Sequence, residues 1–368
     1  MAEMTGTWPL PAVVTLDDLE PLKKTISAGA GQSTGIHPIE DQPSWLAKLY
    51  RTPGDHSEAT RLDELIALPG GIAADDSTTL GTSTSWPVAR ITKGDNPVHG
   101  CVIPAAPDRF RQDSAEGFRE IDTLARTTDS FARQKLRVPS RSDRLRICRN
   151  LVLVAELLER HKLVYSDWSY SNAFWCHDDA SVFVIDIDGC GPGPVPNIVQ
   201  PNWDDPLTQR PNKADACTDR FRVALLVTRC LTGQRDLAVA LNDLAESDGL
   251  GNRGLREVLL DILLSEDRER RPSMAELGTV LAGGLYARFG SPPARSPIPA
   301  RPASVPSTTV VGGTPGKNVN WNTPATTSSA GNGGPGEPGG PQRETVFIVA
   351  FFVIVVLLIT IVLIANNV

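Results

Sequence analysis

The six cysteines, at positions 101, 148, 176, 190, 217 and 230, include no CxxC pair, and no histidine lies at zinc-ligand spacing from them. That scatter excludes a zinc ribbon and a disulfide frame, and it predicts buried, reduced thiols. No Lys/Arg stripe interrupts a net charge of −7, so nucleic acid is not an expected partner. The first residues, MAEMTGTWPLPAVVTLDDLEPLKK, lack a basic start followed by an apolar stretch, and no signal peptide is expected. No internal repeat is visible.

What is present is a chain of 368 residues with 40% hydrophobic and 21% charged content, suited to one two-lobed globular body plus a tail. Residues 346–365 are apolar except for Thr360. A helix of that length is roughly 30 Å long, the thickness of a hydrocarbon core, and it has no polar face to turn toward water. A transmembrane helix over 345–365 is therefore predicted, acting as a C-terminal anchor. Lys317 and Arg343 precede it and no charge follows, which places the body on the cytoplasmic side of a cell membrane. Residues 291–344, rich in Pro, Gly, Ser, Thr and Asn, cannot bury enough apolar surface to order themselves and read as a disordered linker. As a flexible coil of about fifty residues, such a linker spans roughly 40 Å.

The body, residues 12–290, changes character along its length. Residues 23–27, 33–39, 44–50, 85–91 and 99–105 read as short strands, and 57–68 as a helix with Glu58, Leu62, Leu65 and Ile66 on one face. Residues 105–142 form a charged connector with one helix near 115–127. Helices then follow over 144–161 and near 218–232, 236–246, 254–264 and 273–287. Strands first and helices afterwards define an α+β class, with a small β-rich lobe over about 12–104 and a helical lobe over about 105–290.

The chemistry concentrates in residues 163–189, LVYSDWSYSNAFWCHDDASVFVIDIDG. A polar loop carries Asp167 and, five residues later, Asn172; an apolar strand then ends in Asp186 and Asp188. An Asp, an amide at plus five and an Asp fourteen beyond form a set of groups for phosphoryl transfer. One carboxylate handles the attacking hydroxyl, and the others hold Mg²⁺ against the phosphates. This stretch resembles the catalytic and metal-binding loops of the protein-kinase fold, including bacterial Ser/Thr protein kinases. The resemblance extends over about residues 22–287.

The resemblance implies a role for each matching position. Lys48, in SWLAKLY, would contact the phosphates of ATP, and Glu58 would hold that lysine from the following helix, with Glu64 as the runner-up. Gly29 and Gly31, in GAGQSTG, stand where a glycine turn approaches the phosphates, although one extra residue precedes Gly35. The backbone of 102–106 would meet the adenine edge. Asp167 would be catalytic, and Asn172 and Asp186 would bind Mg²⁺, with Asp188 a second ligand or a substitute. Asp219 would cap its helix and brace the catalytic loop. Arg271, in ERRPS, would pair with Asp204 or Asp205, and Ser273 with Glu276 also forms a capping box.

Several positions depart from the pattern. Tyr165-Ser166 replaces the usual His-Arg, Ser169 replaces a lysine, and residues 187–207 contain no Ser, Thr or Tyr. Regulation by phosphorylation within that segment is therefore not expected. Three readings follow: a membrane-tethered protein kinase acting on an unknown protein substrate, a pseudokinase scaffold binding nucleotide or a partner, and a small-molecule phosphotransferase. The segments around Asp219 and Arg271 count against the third.

Overall fold

In the computed structural model, residues 7–28, 33–112, 117–133, 137–208, 210–246, 253–286 and 293–302 are described. The expected membrane helix, most of the expected linker, and Gly29 and Gly31 lie outside them. Among the described residues no helix is long and apolar enough to cross a membrane.

The chain is an α+β protein, with a sheet built first and helices afterwards. Strands β1 (Val13–Thr15), β2 (Ser27–Ala28), β3 (Ser33–Ile39) and β4 (Gln42–Gly54) precede helix α1 (His56–Ala67) and α2 (Ala74–Ser83). Strands β5 (Ala89–Lys93) and β6 (Asn96–Pro104) complete a six-stranded sheet of order β1-β5-β6-β4-β3-β2. Only the β1–β5 pair is parallel. Side chains of a strand alternate between faces, and β4 uses that alternation to sort its residues. Trp45 and Ala47 join an apolar cluster with Val14, Leu19, Ile91 and Val102. Leu46 and Tyr50 face the other way, toward Ala59 and Leu62 of α1. Lys48 lies between Leu46 and Tyr50 in this alternation, and so is directed to the side from which the helical part approaches. Gly100 of β6 lets the two strands close up, since a Cβ there would collide with the Lys48 carbonyl.

Helix α1 starts where Asp55 accepts the N–H groups of Ser57 and Glu58. The short α2 was not foreseen: its sequence, ADDSTTLGTS, buries only Leu80 and has no apolar period. The expected helix near 115–127 is replaced, in its described part, by a 3₁₀ turn at Ile121–Ala125, followed by α3 (Thr128–Arg133). All five residues of that 3₁₀ turn are buried, so no single amphipathic face extends along them.

Helix α4 (Arg141–Arg160) is the spine of the second half, opened by a capping box between Ser140 and Asp143. After it come β7 (Leu163–Val164), β8 (Ala173–Trp175) and β9 (Val182–Val184), then β10 (Gly191–Pro192), β11 (Val195–Pro196) and β12 (Lys213–Ala214). Helices α5 (Ala216–Thr232), α6 (Leu237–Glu246), α7 (Arg253–Leu263) and α8 (Met274–Leu281) close the fold. Leu151, Leu158, Phe221, Leu225, Leu259 and Leu277 belong to one buried core that joins α4, α5, α7 and α8. The cysteines are all free and buried, as their scatter predicts.

Residues 293–302, expected as the start of the linker, run along this helical body. Arg295 binds Asp261 and Glu257 at 2.7 and 2.9 Å, the Ser296 N–H donates to the Leu264 carbonyl, and Ile298 packs on the core. The globular unit therefore extends beyond residue 290.

Candidate functional site

Hairpin geometry brings Asn172 and Asp186 together. Strands β8 and β9 are antiparallel, with Ala173 opposite Val184, so the residue before β8 and the residues after β9 lie at the same end. The Ile185 N–H donates to the Asn172 carbonyl at 2.9 Å, extending the pairing by one step. Asp186 then takes left-handed backbone angles (φ 58°, ψ 28°) and the chain turns into a 3₁₀ turn at Ile187–Gly189. The turn places the carboxylates of Asp186 and Asp188 on either side of one ammonium. Lys48 Nζ lies 3.1 Å from Asp186 Oδ1 and 2.7 Å from Asp188 Oδ1.

Asp167 stands across the same space. With Ser33, Lys48, Arg61, Asp186 and Asp188, it lines a cleft of about 300 Å³. Partial burial raises its carboxyl to about 6, reinforced by the negative charge of Asp186 and opposed by a hydrogen bond with Asn172. The Asn172 side-chain amide donates to the Asp167 carbonyl oxygen at 2.9 Å, fixing the loop across its five-residue span. Gln200 Nε2 donates to Asp167 Oδ1 at 2.6 Å.

The loop carrying Asp167 is held from below. Asp219, in the first turns of α5, accepts the N–H of Tyr165 at 2.7 Å and that of Ser166 at 2.9 Å. Ser166 is left-handed (φ 67°), a conformation that needs such external support. Burial pushes the Asp219 carboxyl up to about 6, against the lowering effect of those two bonds. Arg222, one turn further along α5 and 1% exposed, donates to the Ser166 carbonyl, to Trp203 O at 3.2 Å and to Asn197 Oδ1 at 2.8 Å. The Tyr165 hydroxyl donates to the Ile185 carbonyl at 2.6 Å, tying the loop to the end of β9. Tyr165 and Arg222 thus cross-link the Asp167 loop to the end of β9 and to the 197–203 segment. Position 165 was visible in the sequence, whereas Arg222 looked like an ordinary helix residue.

The expected ion pair further along is present in one of its two forms. Arg271 makes two 2.7 Å bonds to Asp205, both side chains being inaccessible to solvent. Ser273 and Glu276 form the expected capping box at the start of α8.

Glu58 does not hold Lys48. Its carboxylate accepts from Arg61 Nε at 2.8 Å, and its side chain is half exposed. Glu58 and Arg61 both line the cleft, but Glu58 is paired with Arg61, which in turn donates to the carbonyls of Asp188, at 2.8 Å, and Cys190. Glu64 is exposed. Of the glycine turn, only Gly35 is described, paired with Leu49 in the β3–β4 ladder. In the 102–106 segment, the Ala105 N–H donates to Ser44 O at 2.9 Å.

Asp186 brings a carboxylate to the cleft, and the hairpin keeps the Asn172 backbone beside it; side-chain oxygens are the donor type that suits Mg²⁺. Among the described residues, no group of three or more His, Cys, Asp or Glu side chains could hold a metal unaided. No family model matches the chain, and no curated protein matches it.

Proposed function

We propose that this chain is a protein-kinase-like phosphotransferase that moves the γ-phosphate of Mg-ATP to a hydroxyl of a protein substrate, tethered to a membrane by residues 346–365. In this reading the sheet with α1 is the small lobe and the helical part the large lobe of a two-lobed protein-kinase fold. One observation carries the proposal: Lys48 of the sheet lines one cleft with Asp167 and Asp186 of the helical part, and Asn172 is bonded to the Asp167 main-chain carbonyl behind it.

The residues divide the work as follows. Lys48 contributes positive charge for the phosphates, and Asp186 with Asn172 would hold Mg²⁺, which neutralises charge on them during transfer. Asp167 orients the substrate hydroxyl. Its oxygen attacks the γ-phosphorus, the bond to the bridging oxygen of ADP breaks, and Asp167 receives the hydroxyl proton. With its carboxyl near 6, Asp167 is largely ionised at pH 7 and close enough to neutrality to act as a base.

A second reading, a nucleotide- or partner-binding pseudokinase, is favoured by the Gln200 bond. It occupies a carboxylate oxygen of Asp167 that the substrate hydroxyl needs. The discriminating experiment uses the full chain in detergent with Mg²⁺ and labelled ATP, scored for nucleotide binding and for transfer to a generic protein. Transfer abolished by Asp167→Asn supports the enzyme. Binding without transfer, unchanged by that substitution, leaves the pseudokinase, and absence of ATP binding overturns both nucleotide readings. For the tether, the full chain should sediment with membranes and a chain ending at 344 should not.

A further inference from the structure

We propose that Asp188 is the positioning residue for Lys48, a task that α1 does not perform in this protein. The proposal rests on the reading that the cleft takes nucleotide phosphates. Lys48 is 7% exposed and Asp188 5%. A lysine so far removed from water needs fixed acceptors for its ammonium, and their geometry sets where it points. Asp188 gives the shorter of the two contacts, 2.7 Å against 3.1 Å to Asp186, and is much the more buried partner. Its other oxygen, Oδ2, accepts the Tyr50 hydroxyl at 2.7 Å. Tyr50 lies two residues beyond Lys48 on the same face of β4, so strand alternation delivers the ammonium and the hydroxyl together to the two oxygens of one carboxylate.

Two consequences follow for the cleft. Asp188 has both oxygens committed to protein donors and is not a free metal ligand; Asp186, 38% exposed at its side chain, is the carboxylate left to meet Mg²⁺. Helix α1 contributes a cation where a glutamate was expected. Arg61 grips the main chain of the 188–190 segment through two carbonyls and leaves Lys48 alone. The phosphate-facing lysine is therefore set by β4 and the 186–190 segment, and α1 acts on it only through the backbone that carries Asp188.

The test separates this inference from the nucleotide reading. Lys48 acetylation by acetic anhydride is followed by mass spectrometry in the full chain, with exposed Lys213 as internal reference. Loss of the carboxylate in Asp188→Asn releases the amine from its buried anchor and should raise Lys48 labelling about tenfold or more. Tyr50→Phe should raise it severalfold, and Glu58→Gln should leave it within twofold. In parallel, Asp188→Asn should weaken ATP binding about tenfold or more, with a cooperative thermal transition retained. Unchanged labelling in Asp188→Asn, or an equal rise in Glu58→Gln, overturns the assignment. Unchanged ATP affinity in Asp188→Asn overturns the positioning role. A wild-type chain with no ATP affinity overturns the nucleotide reading, and with it the phosphate-positioning role.

Discussion

Asp219 and Ser166 are 53 residues apart, yet the Asp219 carboxylate accepts the Ser166 N–H at 2.9 Å and that of the neighbouring Tyr165 at 2.7 Å. One side chain at the start of α5 thereby fixes the backbone from which Asp167 projects. Asparagine at 219 keeps the shape but has only one acceptor oxygen, which leaves a buried N–H facing an amide group. Asp219→Asn should cost about 1–3 kcal/mol, and at 25 °C it should reduce phosphate transfer more than ATP binding. Chemical denaturation and a comparison of binding with turnover check both.

The pH dependence follows from Asp167. Burial raises its folded-state value from 3.8 to about 6, so between those values the folded chain holds more protons at this site than the unfolded chain. Its contribution to stability is greatest below about pH 4 and is lost as pH rises to about 6. Asp167→Asn removes that loss. The variant should be more stable than wild type at pH 7, by about 1–2 kcal/mol after allowance for partial exposure, and the difference should shrink toward pH 4. The same substitution should abolish transfer, and the wild-type pH–rate profile should rise through about pH 6.

The Arg271–Asp205 pair is closed to solvent on both sides. Removing one partner strands a buried charge, at a cost of about 3–5 kcal/mol. Arg271→Ala and Asp205→Ala should each lower the melting temperature by roughly 10 °C or more. Arg271→Lys should also be damaging, because the two parallel bonds need a guanidinium. Differential scanning calorimetry measures the series.

Tyr165→Phe deletes the hydroxyl that reaches the Ile185 carbonyl. The expected cost is about 1–2 kcal/mol, with looser coupling between the Asp167 loop and the Asp186 turn. Denaturant unfolding gives the first quantity. Faster amide exchange at residues 164–168 and 185–188 would show the second.

Gln200→Ala frees the Asp167 oxygen that Gln200 occupies. If that bond restrains the base, transfer should increase severalfold while ATP affinity stays unchanged. A loss of transfer would instead show that Gln200 orients Asp167 for the reaction.

Much of the fold was legible because it is local. The alternation in SWLAKLY, the capping box of Ser273 with Glu276, and the apolar run before Asp186 each express a short-range rule, whereas α5 is capped by Asp215 and not by the expected Asp219. Strand β1 and helix α2 were not legible, since one has only three residues and the other buries a single leucine. Residues 293–302 read as linker by composition, and only the acidic groups of α7, Asp261 and Glu257, give Arg295 a reason to dock.

The candidate site divides along the same line. The types and spacing of Asp167, Asn172 and Asp186 belong to the sequence, because a loop and a hairpin of set length bring those three together wherever they fold. So does the placement of Lys48 and Tyr50 on one face of β4. Which carboxylate meets Lys48 belongs to tertiary structure. Glu58 and Arg61 both border the cleft from α1, and Arg61, bonded to the Glu58 carboxylate and to the Asp188 carbonyl, stands between that carboxylate and Lys48's partners. Asp188, 140 residues from Lys48, becomes its partner because the left-handed turn at Asp186 and the approach of β4 create one buried space, where an ammonium needs fixed acceptors.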